Sequence, residues 1–389
     1  MDTTISEIMK VVVLGGAGRV GKVILKHLSN SKKFSRVVCA DINIKEAERY
    51  VKHLNDPKIS VERVDISDKD SISDVLVDAD IVINAARPYW NLDVMDVCLW
   101  TGTNYIDLAA DNIVQQLERD NEWKRNGLSA LVSIGEDPGL TNIFARLVAD
   151  MLDDVFEIRI RDGGKIYSTG ITFTFAPDVA LEDLIFKSTI FENGEIKKVP
   201  SMEGEEIFNF PIIGPTKVYF ADHEEPLTLP FYLKKPGIRY VDFKIAIDEN
   251  DLRAIKVLKK LNLLKEEAVD FNGIKIVPMD FTLFLIKSQR IVTQNIRGHE
   301  LILTDVIGEK DNKVVKYQVY SYLTHEESMR RFGFDATSYM TGTPAAVAAE
   351  LFADGKVERK GVFPPEVLDP ELFLKKVKEM GIDWKILKK

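Results

Sequence analysis

A glycine-rich turn between an apolar strand and an amphipathic helix constrains the fold of this chain more than any other feature of its sequence. The residues Lys10–Leu14 form an apolar run, typical of a parallel strand that is buried on both faces. The spacing G-x-G-x-x-G follows at Gly16, Gly18 and Gly21. Gly16 permits a tight turn, Gly18 lets a diphosphate approach the backbone, and Gly21 lets the helix pack near the strand. The pattern predicts a dinucleotide-binding turn.

An acidic residue at the end of the second predicted strand indicates which dinucleotide binds. The N–H groups of Arg19 and Val20, at the start of the helix, are expected to face the phosphates. Asp41 lies 20 residues after Gly21, where its carboxylate can accept the adenosine ribose hydroxyls and repel a 2′-phosphate. The sequence therefore favours NAD, while NADP stays possible because Arg19 or Lys45 can reach a phosphate.

Two further strand ends supply cofactor-binding candidates, because ligands of this fold bind at the carboxyl ends of the strands. Asp65 and Ile66 follow the third strand and are expected beside the adenine. Asn84, Ala85 and Ala86 follow the fourth strand and are expected to line the nicotinamide ribose. A role for Asp65 as a helix cap or turn residue fits the sequence equally well.

The alternation of strand and helix patterns predicts an α/β fold for the N-terminal part of the chain. Six apolar strands with five crossovers indicate a doubly wound parallel sheet over residues 1–151. Period-two alternation then predicts a second α+β domain over residues 152–335, with Ile171–Phe175 among its strands and a helix over Asp251–Leu263. The alanine-rich segment after Thr343-Pro344 predicts a helix that starts there, so residues 336–389 are expected to return to the first domain.

Composition excludes several classes of function. The formal net charge of −9 argues against nucleic-acid binding. No run of about 18 apolar residues is present, so no membrane span is expected, and Met1–Met9 do not have the layout of a signal peptide. Cys39 and Cys98 lie in apolar stretches and are predicted to be buried thiols in a reducing compartment, with the cytoplasm as the expected location. No metal-ligand spacing is present, and no metal is expected.

Four motifs give the chain a resemblance to the saccharopine dehydrogenase family that extends over nearly its whole length. They are Val12–Gly21, Asn104–Ala109, Gly135–Asn142 and Thr341–Ala346. Within the family the chain looks most like the lysine 6-dehydrogenase-type branch, with saccharopine reductase and carboxynorspermidine-type reductases as close relatives. The resemblance implies NAD(P)-linked oxidation of a C–N bond in an amino acid such as lysine or saccharopine, or reduction of an imine.

The resemblance also implies an architecture and partners. It implies a Rossmann domain, a mostly antiparallel α/β domain that binds a small amino-acid substrate, and a returning C-terminal helix. A homodimer formed through the second domain is expected. Glu136 replaces an uncharged residue common in the family, and an extra carboxylate there suits an amine-bearing substrate. A cofactor-binding protein without catalytic activity, acting as a sensor or scaffold, stays open as an alternative.

Oxidation of an amine requires a proton acceptor and a negative group that stabilises the developing iminium. Asp107 ends the fifth predicted strand, Asp137 lies in the Asp-Pro-Gly loop, and His223 lies among acids in the second domain. These three residues are the catalytic candidates. The alternative interpretations are a capping role for Asp107, a structural hinge for Asp137 and a solvated loop position for His223. The other histidines, His27, His53, His299 and His325, are expected in helical or polar surface positions.

Substrate-binding candidates come from the same loops and from one cation. The helix after the Asp-Pro-Gly loop starts where a substrate carboxylate or the nicotinamide amide is favoured by the helix dipole. Tyr105 is expected on the side of its strand opposite Asp107. Arg239 is the chosen partner for a substrate carboxylate, with Arg87 and Arg297 as alternatives. The substrate candidates are Tyr105, Glu136, Gly139, Asn142 and Arg239.

Overall fold

A computed structural model describes residues 9–167, 177–289 and 296–389. The predicted strand at Ile171–Phe175 and the extension over residues 1–8 therefore lie outside the described residues. The strands are β1 Met9–Leu14, β2 Phe34–Asp41, β3 Ile59–Arg63, β4 Ile81–Asn84, β5 Asn104–Asp107, β6 Ser129–Leu131, β7 Asp154–Asp162, β8 Lys165–Tyr167, β9 Ser188–Glu192, β10 Glu195–Val199, β11 Glu206–Phe210, β12 Gly214–Phe220, β13 Tyr240–Ala246, β14 Val269–Phe271, β15 Ile274–Ile276, β16 Arg297–Lys310, β17 Lys313–Thr324, β18 Gly361–Phe363 and β19 Trp384–Lys388.

The helices occupy most of the segments between these strands. They are α1 Arg19–Asn30, α2 Ile44–Leu54, α3 Lys69–Leu76, α4 Asn91–Thr101, α5 Ile113–Glu118, α6 Asp120–Arg125, α7 Leu140–Met151, α8 Pro177–Ile185, α9 Glu225–Tyr232, α10 Glu249–Lys260, α11 Pro278–Ser288, α12 His325–Phe332, α13 Ala336–Ala353 and α14 Pro370–Glu379. Short 3-10 helices lie at Pro88–Trp90 and Pro365–Val367. The helix predicted over Asp251–Leu263 is α10.

The described chain forms two compact units. The first contains the residues up to Leu147, the short segment Phe231–Leu233 and the segment Ser338–Asp383. The second contains most of the residues between Val148 and Thr337, together with Trp384–Lys389.

The first unit is built on a parallel sheet of seven strands in the order β18-β6-β5-β4-β1-β2-β3. All neighbouring strands in it run parallel. The order reverses between β1 and β4, where doubly wound sheets bind their ligands. The predicted Rossmann-type fold is confirmed. The sequence indicated six strands, and the seventh, β18, was missed because three residues are too short for a clear pattern.

Helix α13 packs closely against α1 within the first unit. Ala345, Ala346, Ala348 and Ala349 are fully buried, and a Cβ at Gly342 would lie 2.9 Å from Cβ of Val23. The prediction that the helix starts at Thr343-Pro344 is wrong, because α13 begins at Ala336 and contains Pro344. The Thr343 hydroxyl donates to the carbonyl of Tyr339 at 2.7 Å, which keeps a hydrogen bond inside the turn that the proline interrupts.

The second unit is built on a mixed sheet of ten strands with the central order β10-β9-β13-β7-β16-β17-β19. Only β13 and β7 pair in parallel among its described strands. The expectation of an α+β domain with a mostly antiparallel sheet is confirmed. The end of the chain differs from the expectation that all of residues 336–389 return to the first domain, because β19 pairs with β17 of this sheet.

The two faces of this sheet differ in polarity because successive side chains of a strand point to opposite faces. Ile158, Ile160, Val241 and Phe243 form one face and are buried. The opposite face carries a buried ion pair, in which Arg161 donates to both carboxylate oxygens of Asp242 at 2.8 and 3.1 Å. Glu206 and Lys244 extend this network on the same face.

Two predictions about buried groups have different outcomes. Cys39 and Cys98 are both buried and free, as predicted. His325 is not at the surface, because it is buried and its Nδ1 accepts from the backbone N–H of Ala336 at 3.1 Å. His27 is also removed from solvent, and burial lowers its pKa to about 4. Within the described parts of the chain, no helix is long and apolar enough to cross a membrane.

The Arg161–Asp242 pair predicts a strong dependence of stability on one carboxylate. Asp242→Ala removes the carboxylate that pairs with both guanidinium nitrogens of the buried Arg161, so the free energy of unfolding is expected to fall by about 3 kcal/mol. Glu157→Ala removes the partner of the half-exposed Arg159 and should cost less than about 1 kcal/mol. Chemical denaturation followed by circular dichroism measures both values. Equal losses in the two variants would contradict the assignment.

Candidate active site

The turn after β1 is made by a different glycine from the one that the sequence spacing indicated. Gly15 has the positive φ of +73°, so the sharp turn lies at Gly15 and the role predicted for Gly16 is corrected. A Cβ at Gly15 would lie 2.8 Å from the carbonyl oxygen of Ala85. Gly16 is required for a different reason, because a Cβ there would lie 2.7 Å from Sγ of Cys39 on β2. The turn therefore has no room for a side chain at position 15 or 16.

The start of α1 lies beside this turn. Gly18 is the N-cap residue and makes no side-chain capping hydrogen bond, so Arg19 and Val20 occupy the first helical turn, where the helix dipole attracts an anion. A Cβ at Gly21 would collide with the carbonyl of Gly15, which is the close packing expected of the third glycine. These features fit a dinucleotide diphosphate, which these residues would hold through backbone N–H groups.

Asp41 lies at the end of β2 and contacts the glycine turn directly. One carboxylate oxygen accepts from the N–H of Ala17 at 2.9 Å, and the other accepts from the N–H of Asn43 at 2.8 Å. The side chain stays partly exposed, so it retains acceptor capacity for a ribose hydroxyl. Burial, reinforced by the charge of Asp41, raises the pKa of the adjacent Cys39 thiol to about 12, which makes this thiol unreactive at neutral pH.

The other two predicted cofactor segments lie at neighbouring strand ends, where each polar side chain already has partners. Asp65 accepts from both the N–H and the hydroxyl of Ser67, at 3.1 and 2.7 Å, as a turn residue does. Asn84 is buried and donates to Oδ1 of Asn91 at 2.9 Å. Ile66, Ala85 and Ala86 are partly exposed. The role of these five residues in binding stays a prediction.

Tyr105 and Asp107 are buried together on one side of β5. The expectation that Tyr105 faces the opposite side is wrong, because residues two apart in a strand share a face. Asp107 accepts from the N–H of Ser133 at 2.5 Å and from Nε2 of Gln116 at 2.6 Å. Burial raises the pKa of Asp107 to about 7, although these hydrogen bonds oppose the shift. Its catalytic role stays a prediction.

The Asp-Pro-Gly loop precedes α7 and is anchored inside the first unit. Gly139 has a φ of +133°, and a Cβ there would collide with the carbonyl of Gly135, so only glycine fits. Oδ1 of Asn142 accepts from the N–H of Gly139, and its Nδ2 donates to the fully buried Glu366, both at 3.0 Å. Asn142 thus holds the loop in shape. Glu136 is buried and Asp137 partly exposed, and their proposed roles stay predictions.

His223 lies in an acidic cluster of the second unit. Its ring stacks on Phe243 with the centroids 3.5 Å apart, and its Nδ1 lies 3.4 Å from Oε2 of the buried Glu225. Ligand atoms of His223, Glu224 and Glu225 all lie within 4.8 Å of one another. This arrangement attracts a cation, while the expectation that no metal binds stays a prediction.

Asp162 and Glu300 form a second acidic pair whose members also lie in this unit. Their side chains share a hydrogen bond, which requires one proton between two carboxyl groups. Asp162 accepts from the N–H of Gly164, and Glu300 accepts from the hydroxyl of Thr337, each at 2.6 Å. Burial raises the pKa of Asp162, while the hydrogen bonds and the positive charge of His223 act in the opposite direction. Asp162 therefore couples electrostatically to His223.

Arg239 lies apart from His223. It lines a cavity of about 380 Å³ with Glu157, Arg159, Tyr240 and Asp242. The side chains of Tyr240 and Asp242 point away from the face on which Phe243 stacks against His223. The structure therefore does not bring the predicted substrate cation and the predicted catalytic histidine into one cluster, and the role of Arg239 stays a prediction.

Sequence reasoning missed the acids that the fold brings together. Asp162 stands directly before Gly163-Gly164 at the end of an alternating strand, and Glu366 stands alone in the apolar stretch Val362–Leu368. An acid before a double glycine and a lone acid in an apolar run were the available signals. Glu300 follows the ordinary alternation of β16 and gave no signal of its own.

Two family profiles match the chain over almost its full length. The Saccharopine dehydrogenase NADP binding domain matches residues 11–143, and the Saccharopine dehydrogenase C-terminal domain matches residues 135–382. Both predictions, of this family and of a nicotinamide dinucleotide cofactor, are thereby confirmed.

The relatives of this chain include enzymes named for carboxylated polyamines. It is 28% identical to the carboxyaminopropylagmatine dehydrogenase of Synechocystis sp., over 97% of each chain. It is also 28% identical to the carboxynorspermidine synthase of Vibrio alginolyticus, over 95% of each chain.

Solved structures support the fold. Apo saccharopine dehydrogenase (L-Glu forming) from Saccharomyces cerevisiae aligns with a TM-score of 0.77 and 16% identity, covering 98% of this chain and 100% of that one. The homospermidine synthase from Legionella pneumophila, in complex with NAD, aligns with a TM-score of 0.69 and 14% identity, covering 98% and 92%.

The position of Asp41 predicts its effect on cofactor binding. Asp41→Ala removes the acceptor at the expected ribose position, so the Kd for NAD should rise at least about tenfold, which corresponds to about 1.4 kcal/mol. The Kd for NADP should change less, because the repulsion of a 2′-phosphate is also removed. Calorimetric titration of both cofactors measures this, with Asp74→Ala on α3 as the control. An unchanged Kd for NAD would refute the assignment.

The raised pKa of Asp107 predicts a pH dependence of stability. The folded state binds this proton more tightly than the unfolded state, so the contribution of Asp107 is most favourable below pH 4 and declines as the pH rises towards 7. Asp107→Asn should remove this decline. The difference in unfolding free energy between the two proteins should change by up to about 1.4 kcal/mol per pH unit in that window. A difference that is constant from pH 4 to 7 would contradict the raised pKa.

Proposed function

Because the chain belongs to the saccharopine dehydrogenase family, we propose that it forms or oxidises the secondary amine of a carboxylated polyamine. The family assignment makes it an NAD(P)-dependent oxidoreductase of amine and imine groups with a small-molecule substrate. The polyamine part of the proposal is supported by relatives named for carboxyaminopropylagmatine and carboxynorspermidine. It replaces lysine and saccharopine as the preferred substrates.

The proposed reaction balances without a further co-reactant. An amine and an aldehyde lose water to form an imine. The imine carbon then gains a hydride while its nitrogen gains a proton, so that the C=N bond becomes a C–N bond. When bound, the nicotinamide cofactor supplies the hydride in this direction and accepts it in the reverse direction.

The observation that carries this proposal is the excess of carboxylates around His223. Asp162 and Glu300 share one proton and so retain one negative charge, and Glu224 and Glu225 add two more. Even a protonated His223 leaves this region negative. Neutral or anionic substrates are disfavoured by such a field, whereas a chain of ammonium or guanidinium groups is stabilised by it.

We assign separate tasks to the residues of the two units. The turn from Gly15 to Gly21 and the carboxylate of Asp41 hold the cofactor, with NAD preferred over NADP. Asp162, Glu224 and Glu300 bind the cationic part of the substrate. His223, paired with Glu225, holds or accepts the proton exchanged at the substrate nitrogen, since histidine changes its charge near neutral pH.

Two further expectations belong to this proposal. A homodimer formed through the second unit is the proposed assembly. The two buried, unpaired cysteines support a reducing compartment, and we place the protein in the cytoplasm.

A direct spectrophotometric assay of cofactor oxidation tests the proposed reaction. Oxidation of NADH and NADPH would be followed with agmatine, norspermidine, putrescine or lysine as the amine and a carboxylate-bearing aldehyde as the partner. The proposal predicts turnover with the polyamines and a lower KM for them than for lysine. Turnover with lysine alone would contradict the polyamine assignment, and cofactor binding without any turnover would favour the sensor or scaffold alternative.

The acidic pair predicts the effect of a conservative substitution. The double substitution Asp162→Asn/Glu300→Gln keeps the shape of the pair but removes its one negative charge, so the KM for the amine is expected to rise at least about tenfold. The Kd for NAD should stay unchanged. Asp153→Asn, at an exposed ion pair with Lys310, is the matched control. An unchanged KM in the double variant would refute the role of the pair.

A further inference from the structure

The segment from α10 to α11 of the second unit exposes an unusual amount of apolar surface. Eight large apolar side chains in it are between 44% and 65% exposed. We call them the apolar patch, and they are Val257, Leu261, Val269, Phe271, Ile274, Phe281, Phe284 and Leu285. Their exposed area is on the order of 800 Å² if each fully exposed side chain presents about 200 Å². The largest patch on a typical monomer measures about 300–600 Å².

Helix α11 is apolar on two sides. Met279, Thr282 and Leu283 are buried, and Met279 and Leu283 belong to the core cluster of this region. Phe281, Phe284 and Leu285, spaced as one face of a helix, remain exposed. A helix that is apolar all round is normally covered all round. The exposed face of α11 is therefore expected to have a cover.

The hairpin before α11 supports the same conclusion. β14 and β15 form a two-stranded sheet of their own, and such ribbons are marginal in water without a covered face. Cross-strand partners Phe271 and Ile274 place apolar side chains on one face, whereas Asp270 pairs with Lys275 on the other. The apolar face of this hairpin is exposed, and no third strand among the described residues pairs with its edges.

We propose that the apolar patch is covered by the same patch of a second copy of this chain. The area suits this occupant, because each partner of a standard stable interface buries about 800 Å². Both signs of charge border the patch, with Lys259 and Lys260 on α10 and Glu266 and Glu267 on the following loop, all exposed. A two-fold axis can bring the basic side of one copy to the acidic side of the other, so the surface is self-complementary. This inference specifies the surface of the homodimer proposed above and rests on that proposal.

Sedimentation velocity of the full chain tests the surface. Wild-type protein is expected to be a dimer at micromolar concentration, and Phe271→Asp/Phe284→Asp is expected to raise the dimer Kd at least a hundredfold. Val314→Asp, at an exposed apolar position on β17 outside the patch, should stay dimeric. Circular dichroism and the thermal midpoint verify that each variant is folded. If the Phe271→Asp/Phe284→Asp variant is still a dimer, the proposed interface is wrong but the homodimer stands. If the wild-type protein is a monomer, both the interface and the homodimer are wrong.

Reversing the charges that border the apolar patch gives a second test of the interface, in which a loss of folding cannot explain the expected result. Lys259→Glu/Lys260→Glu and Glu266→Lys/Glu267→Lys should each self-associate at least tenfold more weakly than wild type, and an equimolar mixture of the two should form a heterodimer. Failure of the mixture to associate would contradict the two-fold pairing. Turnover measured on the same preparations reports separately on the proposed reaction.

Discussion

The close contact between Gly21 and the carbonyl of Gly15 is the constraint on which the first unit depends. It holds the start of α1 against the end of β1, beside the glycine turn. Gly342 of α13 approaches Val20 and Val23 of the same helix closely, which fixes α1 from its other side. Asp41 completes the turn by accepting from Ala17. Backbone geometry, rather than a reactive side chain, thus defines the proposed cofactor site.

In the second unit, the alternation of side chains along the strands places a neutralised ion pair on one face of the sheet and an excess of carboxylates towards the other. On one face, Arg161 and Asp242 neutralise each other and stabilise the fold. Towards the other face lies His223, stacked on Phe243 and coupled to Asp162, in a region where carboxylates outnumber cations. Adjacent residues of β7 therefore point to opposite faces: Arg161 closes a structural ion pair, and Asp162 lies on the face where we propose that the substrate amine binds.

The sequence was sufficient for the parallel sheet, because its strands are continuous apolar runs and its glycines have a fixed spacing. It also indicated the family. It did not reveal that Gly15 makes the turn, since only backbone angles distinguish it from Gly16. Glu300 could not be recognised either, because it meets Thr337 only through long-range packing. Glu366 stands out as a lone acid in an apolar run, but its partner Asn142 could not be read from the sequence. Pro344 was misread as a helix start, since its position inside α13 depends on contacts of the preceding turn. The site residues themselves remain predictions.

We propose that backbone N–H groups at the start of α1 bind the diphosphate of a nicotinamide dinucleotide while Asp41 binds the adjacent ribose. A crystal structure of the protein grown with NAD tests it most directly. Phosphate oxygens are expected within hydrogen-bond distance of the N–H groups of Arg19 and Val20, with a ribose hydroxyl at Asp41. A cofactor bound elsewhere, or a ribose that does not reach Asp41, would contradict it.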